Sequence, residues 1–202
     1  MAPVQASTIT KLKSTVFQAP FVSTLFRGIS RLLMALIGWR IVGEKPADKK
    51  CVIIGAPHTS NWDFVLFVMY AFIYGVDIHW MGKQALFPRP FRRLMVWLGG
   101  IPIDRSRAHS VVSQMVDYFE SVEQLTVLIT PEGTRSKVER WKMGFYHIAV
   151  QAKLPIYLGF VDRDSRSIGI GSRFQPTGDA DADMETILAF YRDKRGINPH
   201  NA

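Results

Sequence analysis

His58 and Asp63 are the first residues whose types and spacing suit joint chemistry. They lie in IIGAPHTSNWDF, residues 53–64, where an apolar run ends in polar side chains. On a regular helix, a separation of five residues would turn the two side chains about 140° apart. They can meet if His58 lies in the turn before a helix and Asp63 folds back from its first turn. A carboxylate on one ring nitrogen would leave the other nitrogen as a base. The alternative is an ordinary helix start capped by Ser60 or Asn61.

A second polar stretch, TPEGTRS, occupies residues 130–136. Gly133 would let the backbone approach a ligand closely. The planar fork of Arg135 suits a phosphate or a carboxylate. Glu132 could orient His58, Arg135 or a substrate hydroxyl. The alternative is a plain turn with solvated charges.

Three cations each follow a predicted strand and could form one anion pocket: Lys83, Arg105 and Arg135. Each one alone is more often a surface charge. The basic and aromatic run FPRPFRR, residues 87–93, could touch phospholipid head groups or could be a solvated loop.

Alternating apolar elements must position these loops. Apolar runs predict strands at 49–56, 77–82, 101–104, 125–130, 154–162 and 166–171. Helical patterns predict helices within 62–75, 84–100, 108–124, 143–153 and 181–195. The last helix has acidic residues early and basic residues late, which suits the helix dipole. Strands that alternate with helices indicate an α/β fold with a mixed, largely parallel sheet flanked by helices. In such sheets, sites gather where strands end, and three of the polar loops follow strands.

The N-terminal region predicts an amphipathic helix over residues 17–39, or a pair of short helices separated at Pro20. Its charges are all positive, as in Arg27 and Arg31, and they accompany a broad apolar stripe. This pattern favours a helix at a membrane interface over one packed only on its own domain. We therefore divide the chain into a membrane-associating segment, residues 1–40, and an α/β domain, residues 41–202.

The composition narrows the class of protein. The 202 residues are 48% hydrophobic and carry a net charge of +8, so one globular domain with anionic partners is expected. The single cysteine, Cys51, excludes an internal disulfide, which favours a reducing compartment. No cleavable signal is evident. The longest uncharged runs, 14–26 and 64–76, fall short of the roughly 20 residues of a membrane span.

Three sequence blocks together resemble the glycerolipid acyltransferases of the 1-acylglycerol-3-phosphate acyltransferase type. The family's H-x-x-x-x-D motif is matched by His58 and Asp63, and GGIPIDR is similar to a second block that ends at Arg105. A third block, E-G-T-R, is matched by Glu132, Gly133, Thr134 and Arg135. The similarity runs from about residue 25 to 162. Each motif is weak alone, and their joint order makes the resemblance specific.

The resemblance implies transfer of a fatty acyl group from coenzyme A or acyl carrier protein to a lysolipid hydroxyl. It implies that His58 is the general base, that Asp63 orients it, and that Arg105 and Arg135, with Lys83, hold the acceptor phosphate. It also implies N-terminal helices on the membrane, and we expect the cytoplasmic face. No cofactor or metal is expected, because the five histidines are scattered. No G-x-S-x-G elbow is present. Backbone N–H groups near Gly133 are candidates for the oxyanion donors.

Some positions depart from the family pattern and leave the acceptor lipid open. The last block has one proline, Pro155, and Asp162 is unusual there. Two alternatives from other classes remain. One is a non-catalytic lipid-binding or membrane-scaffold protein of the same fold. The other is a nucleic-acid binder, suggested by the charge alone, with no motif in its favour.

Overall fold

The computed structural model describes residues 15–104 and 108–201, which contain seven strands and six α-helices. The strands are β1 (Arg40–Val42), β2 (Lys50–Ala56), β3 (Ile78–Lys83), β4 (Gly100–Ile103), β5 (Leu125–Ile129), β6 (Ile156–Asp162) and β7 (Ser167–Phe174). The helices are α1 (Pro20–Ile37), α2 (Asn61–Tyr74), α3 (Arg92–Trp97), α4 (Ala108–Ser121), α5 (Gly144–Gln151) and α6 (Ala180–Tyr191). Short 3₁₀ turns lie at Gln84–Leu86 and Pro199–Asn201.

The strands form one sheet in the order β1-β7-β6-β2-β5-β3-β4. The five strands from β6 to β4 are parallel, whereas β7 runs antiparallel to β6 and β1 is parallel to β7. The predicted mixed, largely parallel α/β fold is therefore confirmed. The carboxyl ends of β2, β5, β3 and β4 are neighbours, so the loops after these strands meet at one edge of the sheet.

Strand β2 is buried on both faces, as expected for the centre of a covered parallel sheet. Val52 and Ile54 point into a core shared with α4, α5 and α6, whereas Cys51 and Ile53 point into a core shared with α2 and α1. The fold thus has three layers with the sheet in the middle. Burial raises the pKa of the Cys51 thiol to about 12, so this cysteine is a small buried side chain and not a nucleophile.

Helix α1 is a single helix that begins at Pro20, ends at Ile37 and is capped by Gly38, which has a positive φ of 70°. It packs on α2, where the rings of Phe26 and Phe72 stack at 5.1 Å. Of the two structural alternatives, one continuous helix is therefore correct. The division of the chain at residue 40 stays a prediction.

Arg27 joins α1 to α2. Its Nε donates to the carbonyl oxygen of Phe72 at 3.1 Å, in the last turn of α2. A helix leaves its final carbonyl groups without intrahelical partners and carries partial negative charge there, and a guanidinium satisfies both. Arg27 therefore helps to hold α1 against α2, a contact that the charge pattern of the helix did not predict.

The outer side of α1 remains exposed. Its large apolar side chains on this side include Phe21, Leu25, Leu32 and Leu36, which are 82%, 52%, 61% and 72% accessible. By length and composition α1 could cross a membrane, although its sequence was expected to be too short. The sequence prediction counted only residues without charge, so its apolar run ended before Arg27. The helix itself continues through Arg27 and Arg31.

Two further differences from the sequence prediction concern short or terminal features. Strand β1 was not predicted, because its three residues are defined by pairing with β7, more than 120 positions later. Helix α6 has Asp181 and Asp183 in its first turn but ends at Tyr191, before the basic residues. The cations expected at its last turn therefore follow the helix.

Candidate active site

The turn between β2 and α2 carries His58 and is fixed by reciprocal capping. Ser60 is the N-cap of α2, and its hydroxyl accepts the N–H of Trp62 at 3.2 Å. The carboxylate of Asp63 accepts the N–H of Ser60 at 2.7 Å. An ordinary capped helix start and a pairing of Asp63 with His58 are therefore both present, because the same carboxylate caps the helix and lies beside the imidazole.

Asp63 folds back onto His58. Its Oδ2 lies 3.3 Å from Nδ1 of His58 and also accepts the N–H of Thr59 at 2.6 Å. Asp63 is buried, whereas the His58 side chain remains 19% accessible. The second oxygen, Oδ1, is buried without a hydrogen-bond partner among residues 15–104 and 108–201. One carboxylate oxygen thus holds the turn and faces the imidazole.

This geometry sets the roles of the two ring nitrogens. A carboxylate beside Nδ1 favours the tautomer with its proton on Nδ1, which leaves the lone pair on Nε2. The negative charge would also stabilise an imidazolium formed when Nε2 takes a proton. A partly accessible imidazole beside an oriented carboxylate is suited to accepting a proton from a bound hydroxyl.

Glu132 ties the loop after β5 to the same turn. Its two carboxylate oxygens accept the backbone N–H of His58 at 3.1 and 3.0 Å. Of the partners that the sequence left open, the structure places His58 next to Glu132, but through the main chain and not through the ring. Burial raises the pKa of Glu132, and the hydrogen bond from His58 opposes this shift.

Arg135 lies beside the first turn of α2. Its Nη1 donates to the side-chain oxygen of Asn61, and both residues are exposed. The guanidinium is therefore near the turn that holds His58, at the same edge of the sheet. Thr134 is also exposed, and its hydroxyl accepts the N–H of Ser136 at 3.3 Å.

Gly133 has a φ of 65°, a conformation that L side chains rarely adopt. Its N–H donates to the carbonyl of Thr130 at 3.1 Å. This N–H is used within the turn, which argues against it as an oxyanion donor. The positive φ is the reason that glycine suits this position, and the flexible side chain of Lys142 lies directly against it.

Lys142 is a candidate that the sequence analysis missed. Its side chain lies against Gly133, and its N–H donates to the carbonyl of Pro131 at 2.8 Å. Lys142 thus adds an exposed cation to the loop that carries Arg135. It follows no strand and belongs to none of the three motifs, so the sequence offered no signal for it.

Of the other two predicted cations, Lys83 and Arg105, the structure describes only Lys83. Lys83 is exposed at the end of β3 and pairs in register with Ile103 at the end of β4. Arg105 lies outside the described residues. Lys83 is thus at the correct edge of the sheet, and a shared anion pocket stays a prediction. Within the described parts of the chain, no group of three or more His, Cys, Asp or Glu side chains is arranged to hold a metal ion.

Comparisons with known proteins all match acyltransferases. The family model described as Acyltransferase matches residues 39–157, which is more than half of the chain. A 1-acyl-sn-glycerol-3-phosphate acyltransferase of Cocos nucifera is 32% identical over 133 residues, covering 62% of this chain and 42% of that protein. One of the same description from Saccharomyces cerevisiae is 29% identical over 139 residues, covering 65% and 45%. The chain spans less than half the length of these relatives.

The fold is also similar to the crystal structure of the 1-acyl-sn-glycerophosphate acyltransferase from Thermotoga maritima. The TM-score is 0.57 with 16% sequence identity, and the match covers 85% of this chain and 77% of the other. At this identity the likeness concerns the fold alone. The extent of the family match, 39–157, includes the turn of His58 and the loop of Arg135. The chain belongs to the Acyltransferase family.

Proposed function

We propose that this protein transfers a fatty acyl group from an acyl thioester to a hydroxyl of a phosphate-bearing lysolipid such as 1-acylglycerol-3-phosphate. The observation that carries the proposal is the contact of Asp63 Oδ2 with Nδ1 of His58, within the family match. The descriptions of the curated relatives favour this acceptor.

In the proposed reaction, Nε2 of His58 takes the proton of the acceptor hydroxyl as its oxygen attacks the thioester carbonyl. A C–O bond forms, and the carbonyl oxygen becomes an oxyanion. The intermediate then collapses, the C–S bond breaks, and the leaving thiolate receives the proton from His58. Asp63 stabilises the imidazolium between the two proton transfers. The donor is acyl-CoA or acyl carrier protein.

The acceptor phosphate would be held by the cations at the carboxyl edge of the sheet. Arg135 offers a bidentate fork, and Lys142 adds charge beside Gly133. We propose that Lys83, at the end of β3, and Arg105, which follows β4 in the sequence, also contact this phosphate. Arg135 and Lys142 are exposed, so an incoming anion can exchange with their solvent and with the Asn61 contact.

We also propose that the outer side of α1 binds the membrane as a peripheral or monotopic element on the cytoplasmic face. Full burial of a leucine side chain contributes about 1.5–3 kcal/mol. Several such side chains along one exposed stripe would hold the enzyme where its lipid substrate resides.

The test is a product analysis with defined substrates. Purified protein is incubated with labelled acyl-CoA or acyl carrier protein, together with 1-acylglycerol-3-phosphate, glycerol 3-phosphate or neutral lysolipids, and products are identified by mass spectrometry. We expect acylation of a phosphate-bearing acceptor. Vesicle binding without thioester consumption would favour the lipid-binding alternative. Tight, salt-sensitive binding to nucleic acid with no acyl product would favour the nucleic-acid alternative.

A further inference from the structure

The segment Arg195–Asn201 packs against the turn of His58, and we propose that it positions this turn for catalysis through Thr59. The inference rests on the proposed function of His58 as a base. The segment lies outside the family match, which ends at residue 157.

Thr59 is bonded on two sides. Its N–H donates to Asp63 Oδ2 at 2.6 Å, toward the site. On the other side, its hydroxyl oxygen accepts the N–H of Asn198 at 3.0 Å, and its carbonyl accepts from Nδ2 of Asn201 at 3.2 Å. The residue is 3% accessible, so these partners satisfy groups that water does not reach.

The close approach of the segment depends on Gly196. A Cβ at this position would lie 2.5 Å from both Cγ2 and Oγ1 of Thr59, a distance that real Cβ atoms do not show. Ile197 follows and packs against the core between the sheet and α2. The backbone of the segment is thus seated directly on the back of the catalytic turn.

Asp162 anchors the start of the segment. Its Oδ1 accepts the N–H of Arg195 at 3.0 Å, and its Oδ2 accepts the N–H of Ser165 at 3.3 Å. The N–H of Arg163 donates to the carbonyl of Arg195 at 2.8 Å. Asp162 is buried at the end of β6, which pairs with β2. The aspartate that departs from the family pattern therefore fixes the segment to the strand beside β2.

These contacts form a continuous path to the base. Asp162 holds the segment, the segment holds Thr59, and Thr59 orients the carboxylate oxygen that lies 3.3 Å from Nδ1 of His58. A misplacement of about 1 Å in a catalytic group can lower turnover by about 100-fold. Thr59 is therefore a positioning residue, and loss of its bonds should act on kcat and not on substrate binding.

The test uses the full chain with three variants near the turn. Thr59→Val removes the hydroxyl acceptor and keeps the shape, Thr59→Ser restores the hydroxyl, and Asn201→Ala removes one donor. We expect Thr59→Val to lower kcat about 10-fold with the KM of both substrates within about twofold, and Thr59→Ser to recover most of the loss. Asn201→Ala, which removes one bond, should lower kcat several-fold and keeps the test available if Thr59→Val does not fold.

Thr177→Val is the matched control. The hydroxyl of Thr177 also accepts a backbone N–H, from Asp179 at 3.2 Å, but at the start of α6. The Thr177→Val variant should leave kcat unchanged. In an Asp63→Asn background, Thr59→Val should cause little further loss, because both act through one carboxylate. Wild-type kcat in folded Thr59→Val and Asn201→Ala would overturn the positioning role, as would full additivity with Asp63→Asn. A wild-type rate in folded His58→Ala would instead overturn His58 as the base, and the absence of any acylated product with the wild-type enzyme would overturn the proposed function itself.

Discussion

Replacing Asp63 by Asn separates the charge of this side chain from its role as a helix cap. In the wild-type chain, the backbone nitrogens of Thr59 and Ser60 lie 2.6 and 2.7 Å from Oδ2 of Asp63. An amide oxygen in place of Oδ2 can still accept both of these N–H groups. The variant should therefore remain folded. It loses the negative charge that lies 3.3 Å from Nδ1 of His58.

The expected size of the effect follows from this distance. Two unit charges 3.3 Å apart attract by about 5 kcal/mol at an effective dielectric constant of about 20. Because each 1.36 kcal/mol is a factor of ten in rate, complete loss of this stabilisation would lower kcat by almost 10⁴-fold. Partial replacement by the amide dipole and by water makes a fall of about 10²–10³-fold the expected result. KM should stay within about threefold, because the charge acts on the imidazolium that forms during reaction.

The assay is thiol release from acyl-CoA, checked by mass spectrometry of the acylated lipid. Asp183→Asn is the matched control, since Asp183 is a buried carboxylate in the first turn of α6 that accepts the N–H of Thr177 at 2.7 Å. It should leave kcat near the wild-type value in the folded protein. A folded Asp63→Asn enzyme with kcat within threefold of wild type would refute the electrostatic reasoning.

Three further perturbations test other parts of the account. Arg135→Ala should raise the acceptor KM about 10–100-fold with little change in kcat, since a charged hydrogen bond contributes about 1.5–3 kcal/mol; an unchanged KM would remove this residue from the phosphate site. Burial raises the pKa of Glu132 and so favours its protonated form in the folded protein. The contribution of Glu132 to the free energy of unfolding is therefore present at low pH and is lost as pH rises through the folded-state pKa. Calorimetry should therefore give Glu132→Gln a higher Tm than wild type at pH 8 but not at pH 4. The shift should be roughly 2–4 °C for each kcal/mol of difference in unfolding free energy. A Tm difference that does not change with pH would contradict this. Leu32→Glu and Leu36→Glu should each weaken sedimentation with anionic vesicles about 10-fold or more, whereas Leu188→Glu, at an exposed leucine of α6, should not; equal losses in all three would exclude α1 as the specific contact.

The features that could be predicted from sequence are those set by local pattern. The apolar run at 49–56 predicted the central strand, and the helix predicted within 62–75 is α2, which is capped by Gly75 with a φ of 67°. The spacing of His58 and Asp63 predicted a folded-back turn, because no regular helix brings side chains five positions apart together. That prediction needed only the geometry of one strand, one turn and one helix.

The features that could not be predicted depend on contacts between distant segments. Glu132 had three possible partners, and the pairing of β2 with β5 decides for the main chain of His58. The partner of Arg27, a carbonyl on α2, is 45 positions away in the sequence. The contact of Asn198 with Thr59 joins residues 139 positions apart. Nothing in the local pattern around these residues specifies such pairs.

The most direct measurement of the central claim is the single-turnover rate of acyl transfer by purified His58→Ala. Its circular dichroism and melting temperature should match wild type, because the ring is partly accessible and its ion-pair partner, Asp63, stays bonded to the turn. We expect acyl transfer at least 10³-fold slower than wild type, with vesicle binding intact. A wild-type rate in the folded variant would contradict His58 as the general base.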